Sequence, residues 1–96
     1  MLNLLRASVD GAHNTDHIME YVYLLKCADD TYYTGHTANL DDRINRHNKG
    51  ENTYTNPRRP ITLVTYIAFS DKYKAINFEK YLKSGSGKAF AKKHLI

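Results

Sequence analysis

Glu20-Tyr21-Val22-Tyr23-Leu24-Leu25-Lys26 has the two-residue period of a β-strand: Tyr21, Tyr23 and Leu25 project from one face, Val22, Leu24 and Lys26 from the other. Ala28-Asp29-Asp30 supplies turn chemistry, and Thr31-Tyr32-Tyr33-Thr34-Gly35-His36-Thr37 returns as a second run. The stretch predicts a β-hairpin. In it Tyr23 and Tyr33 lie on facing strands and can share one side of the sheet.

Working outward, Asn39 is a good N-cap, Asp41 and Asp42 complement the helix dipole, and Leu40 and Ile44 form an apolar stripe. That helix is expected to end near Asn48-Lys49-Gly50. Arg43 and His47, four residues apart, share one of its faces. Residues 51 to 60 are polar, basic and bounded by proline, which reads as an exposed loop. Ile61 to Phe69 is a nearly continuous apolar run and the candidate for the central buried strand. Ser70 or Asp71 can cap a second helix that turns Ala75, Phe78 and Leu82 inward, with Glu79 beside that stripe. Ser84-Gly85 ends it, and Ser86 is the expected cap of a short third helix through Phe90 to Leu95. The order ββαβαα predicts an α/β (α+β) sandwich, a three-stranded, mainly antiparallel sheet with flanking helices.

At 96 residues there is room for one domain, taken as residues 20–96, and one modest core. A net charge of +4 favours a polyanionic partner. The lone Cys27 excludes an internal disulfide or a cysteine zinc site, so a reducing cytoplasm is the expected compartment. No apolar stretch approaches the roughly 20 residues of a membrane span. Residues 1–19 are more polar than a signal peptide and read as a loosely ordered extension.

The ordered elements resemble the GIY-YIG nuclease domain, and most closely its small stand-alone UPF0213 group, relatives of the nuclease module of UvrC and of structure-selective nucleases. Tyr21-Val22-Tyr23 stands where the family has Gly-Ile-Tyr, and Tyr33-Thr34-Gly35 where it has Tyr-Ile-Gly. Leu40 to Asn48 resembles the family's arginine helix, Phe78 to Lys83 its metal-glutamate helix, and Ser84 to Phe90 the tail of a subgroup. The resemblance spans about residues 20 to 95. The short members usually begin where Met19-Glu20 falls, which implies either an upstream start codon at Met1 or an added leading segment.

The resemblance implies a divalent-metal-dependent DNA endonuclease that hydrolyses phosphodiester bonds, structure-selective and linked to repair or recombination. Its catalytic residues would be Tyr23, Tyr33, Arg43, His47 and Glu79. Tyr33 is implied as the general base for the attacking water and Tyr23 as an organising or proton-relaying phenol. A phenol with pKa near 10 needs a cation to tune it, and Arg43, His36 and the metal are the available tuners. Gly35 would leave backbone room for a phosphate or metal. Arg43 and His47 would stabilise phosphoryl charge. Glu79 would hold one Mg²⁺ or Mn²⁺, completed by water and phosphate oxygens. The sequence departs from the family in one respect: no asparagine follows Glu79.

Read without the resemblance, the tyrosines are ordinary strand aromatics, Arg43 and His47 surface groups, and Glu79 a helix glutamate paired with Lys83 at i+4. Two basic clusters, Lys49, Arg58 and Arg59 and then Lys88, Lys92 and Lys93, are the expected backbone contacts to DNA. No base-reading module is visible, so selectivity would be for structure or come from a protein partner. The alternative is a nucleic-acid-binding module of the same fold with weak or no catalysis; an RNA-acting enzyme or a protein-interaction domain is a third reading.

Overall fold

The structure, a computed structural model, describes residues 18–96. Its elements are β1 (Glu20–Lys26), β2 (Tyr32–Thr37), α1 (Leu40–Asn48), β3 (Thr62–Phe69), α2 (Lys72–Leu82) and α3 (Gly85–His94), with a 3-10 turn at Asn56–Arg58. The expected ββαβαα order and α+β architecture are present. The reading of residues 1–19 as an extension falls almost wholly outside the described residues.

The hairpin forms where its turn chemistry places it. The Asp29 carboxylate accepts from the backbone and hydroxyl of Thr31, and Asp30 adopts a left-handed φ of 68°, which a short polar side chain tolerates. β1 pairs antiparallel with both neighbours, in the order β2-β1-β3. Tyr23 faces Gly35 and Leu25 faces Tyr33, so the two tyrosines are diagonal neighbours on one face.

β3 corrects the expectation of a central strand. The interior strand is β1, where Val22, Tyr23, Leu24 and Leu25 are all buried, while β3 lies at an edge with Leu63, Val64 and Tyr66 exposed. A continuous apolar run marks a strand but does not say how many neighbours it has. Leu24 faces Thr65 while Leu25 faces Leu63, leaving Val64 unpaired as a β-bulge.

The helices cover the sheet on both faces. On one, Tyr23, Leu25, Cys27 and Ile61 form a core with Tyr33 and with Leu40 and Ile44 of α1. On the other, Val22 packs with Ala75 and Leu82 of α2 and Ala91 of α3, bordered by Phe69, Phe78 and Phe90. Asn39 caps α1 by accepting from Asp42 N, and Asp71 caps α2 by accepting from Tyr73 and Lys74 N. The cap of α3 is Ser84, not Ser86: its Oγ accepts from Gly87 N directly after Lys83 closes α2. The close turn suits Gly87, where a Cβ would collide with the Tyr81 carbonyl of α2.

Candidate active site

Tyr23 is fully buried although it is a candidate for catalysis. Its ring crosses the sheet over Gly35, and a Cβ there would lie 2.6 Å from the phenol oxygen. The space above Gly35, expected to admit a phosphate or metal, is therefore filled by the chain's own phenol. The glycine serves the site by letting Tyr23 reach α1.

There the Tyr23 hydroxyl lies 3.0 Å from His47 Nε2. His47 is also fully buried, and its Nδ1 lies 2.8 Å from Thr55 Oγ1. The Thr55 hydroxyl is 3.3 Å from Asn52 Oδ1, and Asn52 Nδ2 donates to the Tyr33 hydroxyl at 3.3 Å. Asn52 Oδ1 also accepts from the backbone N–H of Tyr54 and Thr55, which fixes the amide's orientation. One proton arrangement gives each group a partner. His47 Nδ1–H donates to Thr55, Thr55 donates to Asn52, and Tyr23 donates to the bare Nε2. The two motif tyrosines are thus joined through His47, Thr55 and Asn52. The Tyr33 and His47 rings also meet edge to face, 5.0 Å between centroids.

Asn52 and Thr55 were not among the residues expected from sequence. The 51 to 60 segment is exposed in part, but it buries Thr55 and delivers Asn52 inward. The available signal was the Asn52-x-x-Thr55 spacing, which suits an asparagine bonding backbone two and three residues ahead.

Burial sets the ionisation of the pair. It pushes the Tyr23 phenol up to about 12; Tyr33 and Glu79 push the same way, and the Arg43 guanidinium only partly offsets this. Burial, and then Arg43, hold the His47 imidazole below its ordinary 6.5. At neutral pH a neutral phenol therefore donates to a neutral imidazole.

Glu79 enters from the opposite layer. His36 faces Val22 across the ladder, so its ring lies on the α2 side, with Nδ1 2.6 Å from the buried Glu20 carboxylate and Nε2 3.6 Å from Glu79 Oε1. The same residue's carbonyl accepts from Arg43 Nη1 at 3.4 Å. Tyr23, Tyr33, Arg43 and His47 thus occupy one face and Glu79 the other, and His36 on edge strand β2 touches both sets. Glu20 was not expected here. His36, expected as a tuner of the phenols, instead lies between two carboxylates.

The donor chemistry fits a hard dication at Glu79 in a limited way. Among the described residues no three histidine, cysteine or acidic side chains form a metal-holding group. Glu79 Oε2 also lies 2.8 Å from Lys83 Nζ, the i+4 pair foreseen from sequence. One carboxylate can supply one oxygen of a mainly water-filled Mg²⁺ shell.

The basic residues divide by use. Arg58 pairs with Asp29, stacks on Tyr54 and donates to the Tyr54 carbonyl; Arg59 donates to the carbonyls of Asn56 and Asn48. Both arginines therefore hold the 51 to 60 segment in place. Lys49 is exposed at the end of α1. Lys88 and Lys92, four apart on α3, line a cleft that also reaches Tyr33, and Lys93 is exposed one position beyond.

A strand hairpin that aligns two tyrosines, an arginine helix beside it and a glutamate helix behind the edge strand define a GIY-YIG-type domain. The profile of the GIY-YIG catalytic domain matches residues 19–93, and the chain belongs to that family. It is similar to UPF0213 proteins. One from Pediococcus pentosaceus is 44% identical over 64 residues, 66% of this chain and 67% of that protein. Another, from Clostridium perfringens, is 47% identical over 66 residues, 68% and 71% of the two chains. The solution NMR structure of a UPF0213 protein from Bacillus halodurans matches with a TM-score of 0.51 at 37% identity, covering 78% of this chain and 83% of that one. The domain implies a nuclease. No helix among the described residues is long and apolar enough to cross a membrane.

Proposed function

We propose that this protein is a divalent-metal-dependent DNA endonuclease whose phosphodiester substrate lies along the β2 edge. The observation that carries this reading is the hydrogen-bonded chain from Tyr23 through His47, Thr55 and Asn52 to Tyr33. An ordinary core rarely ties two phenols, an imidazole, a hydroxyl and an amide into one continuous network; a proton-handling site needs such order.

In this reading Tyr33 takes the proton of the attacking water, and the Asn52 amide, already donating to its oxygen, holds the phenol in position for that transfer. Tyr23 stays protonated, since burial has pushed its pKa to about 12, and holds His47 in place. With both ring nitrogens engaged, His47 positions the two phenols and is not a phosphate ligand. Arg43 supplies the planar cation for phosphoryl charge. Glu79 would hold Mg²⁺ or Mn²⁺, which when bound neutralises charge developing on the phosphate. Lys88 and Lys92 offer sequence-independent contacts to the sugar-phosphate backbone.

Cleavage of supercoiled, branched and single-stranded DNA with and without Mn²⁺ tests the reading. Arg43→Ala and Glu79→Ala are each expected to lower the rate by at least about a hundredfold with the fold intact. An active, folded Glu79→Ala protein would remove the metal assignment. Failure of the parent protein to cut any of the three DNAs would leave a binding module. Activity is also expected to rise above neutral pH and to vanish in Tyr33→Phe; a plateau near about 6.5 with an active Tyr33→Phe protein would point to a histidine base.

A further inference from the structure

The cleft between β2 and α3 has a volume of about 570 Å³, within the roughly 300–1,000 Å³ of sites that enclose a small organic group. Its floor is apolar, formed by Leu24, Leu82 and Ala91. Tyr32 and Tyr54, 39% and 38% exposed, stand at its sides. Lysines 83, 88 and 92 contribute to its lining. Two features tie it to the candidate active site. Tyr33 lines it and also ends the network through Asn52, and Lys83 is the ion-pair partner of Glu79.

An apolar floor with tyrosine flanks offers nothing to the phosphates of a duplex, whose bases face each other inside the helix. It suits the flat faces of unpaired bases, while ammonium groups at the rim suit the phosphates between them. Tyr54, held between Arg58 and Tyr33, stacks on the latter with ring centroids 6.0 Å apart and planes inclined by 30°, which carries an aromatic wall toward the candidate base.

We infer that this cleft binds an unpaired stretch of DNA strand beside the scissile phosphate, so that the substrate is a junction carrying a single-stranded arm and not a continuous duplex. The inference rests on the nuclease reading for its biological sense but not for its test. Bases stack against Tyr32, Tyr54 walls the opposite side, and Lys88 and Lys92 hold the intervening phosphates.

The test is fluorescence anisotropy of a labelled oligo-dT of about a dozen nucleotides, and of a duplex of equal length, without divalent metal and at fixed salt. The oligo-dT is expected to bind at least about tenfold more tightly than the duplex. Tyr32→Ala is expected to weaken oligo-dT binding by about tenfold and to leave duplex binding nearly unchanged, whereas Lys88→Ala with Lys92→Ala is expected to weaken oligo-dT binding by about tenfold and duplex binding by less. Equal affinity for the two DNAs, or undiminished oligo-dT binding in both folded variants, would overturn the inference. Parallel cleavage of a flap and a duplex separates it from the nuclease reading. Strand preference without cleavage leaves the cleft standing and removes the enzyme. Equal cutting of both substrates by parent and variants leaves the enzyme standing and removes the cleft.

Discussion

Gly35 and Gly87 each leave space that a methyl group would fill, but the neighbours that use the space differ. Opposite Gly35 lies the Tyr23 phenol, a side chain tethered to His47; opposite Gly87 lies the backbone of α2 at Tyr81 and Leu82. The two sheet faces differ in the same way. On the α1 face the buried groups include His47 and Thr55, whose polar atoms all find partners. On the α2–α3 face the core is apolar and aromatic apart from the Glu20, His36 and Glu79 cluster at the β2 edge, with Phe78 within 5.5 Å of Phe69 and 6.3 Å of Phe90 between ring centroids. The His47 region of one face is organised by hydrogen-bond direction and the helix seam of the other by volume, so substitutions at these two places should separate site geometry from stability.

The largest stability effect is expected at Gly87→Ala. Helix backbone cannot yield as a side chain can, so α3 must lift from α2, at a cost of about 3 kcal/mol or more in denaturant unfolding. An unchanged unfolding midpoint would break the contrast. Gly35→Ala should cost less, about 1–2 kcal/mol, because the Tyr23 ring can tilt away. Its signature is loss of cleavage out of proportion to the lost stability, measured on the same preparation. Thr55→Val should cost about 1–3 kcal/mol by leaving His47 Nδ1 unpaired, and Thr55→Ser should restore most of it.

The smallest expected effect is one of pH. The folded His47 has a pKa below 6.5, so unfolding takes up a proton once the pH falls beneath that value. Its contribution to stability is complete above about 6.5 and is lost on acidification through the window below. His47→Gln should therefore flatten the fall in stability between about pH 7 and 5, read from unfolding midpoints. An unaltered slope would mean that the imidazole is not held neutral by its surroundings.

Much of this was legible in the chain because it is local. The Tyr21 to Thr37 hairpin, the Asn39 cap and the inward Ala75, Phe78 and Leu82 follow from periodicity and capping within a few residues. The resemblance brought Tyr23, Tyr33, Arg43, His47 and Glu79 forward as a set, and the structure brings the first four onto one face. What escaped depended on distant partners. The edge position of β3 is decided by which strand β1 leaves exposed, and no pattern within Ile61 to Phe69 records it. Asn52 and Thr55 looked like loop polarity because their value lies in reaching His47 and Tyr33. Nothing within the Ser84 to Phe90 stretch marked Gly87 out, and its use is apparent only once α2 lies against it.

The unpaired Val64 bears on how these molecules behave in a crowded solution. β3 is an eight-residue margin with Leu63, Val64 and Tyr66 uncovered, the kind of border that recruits strands from other copies and seeds insoluble assemblies. The bulge divides that border into two short runs, Thr62-Leu63 and Thr65 to Phe69, with the backbone out of step between them. A second chain laid alongside would lose register at the break, so the irregular residue helps to keep an otherwise adhesive edge from propagating.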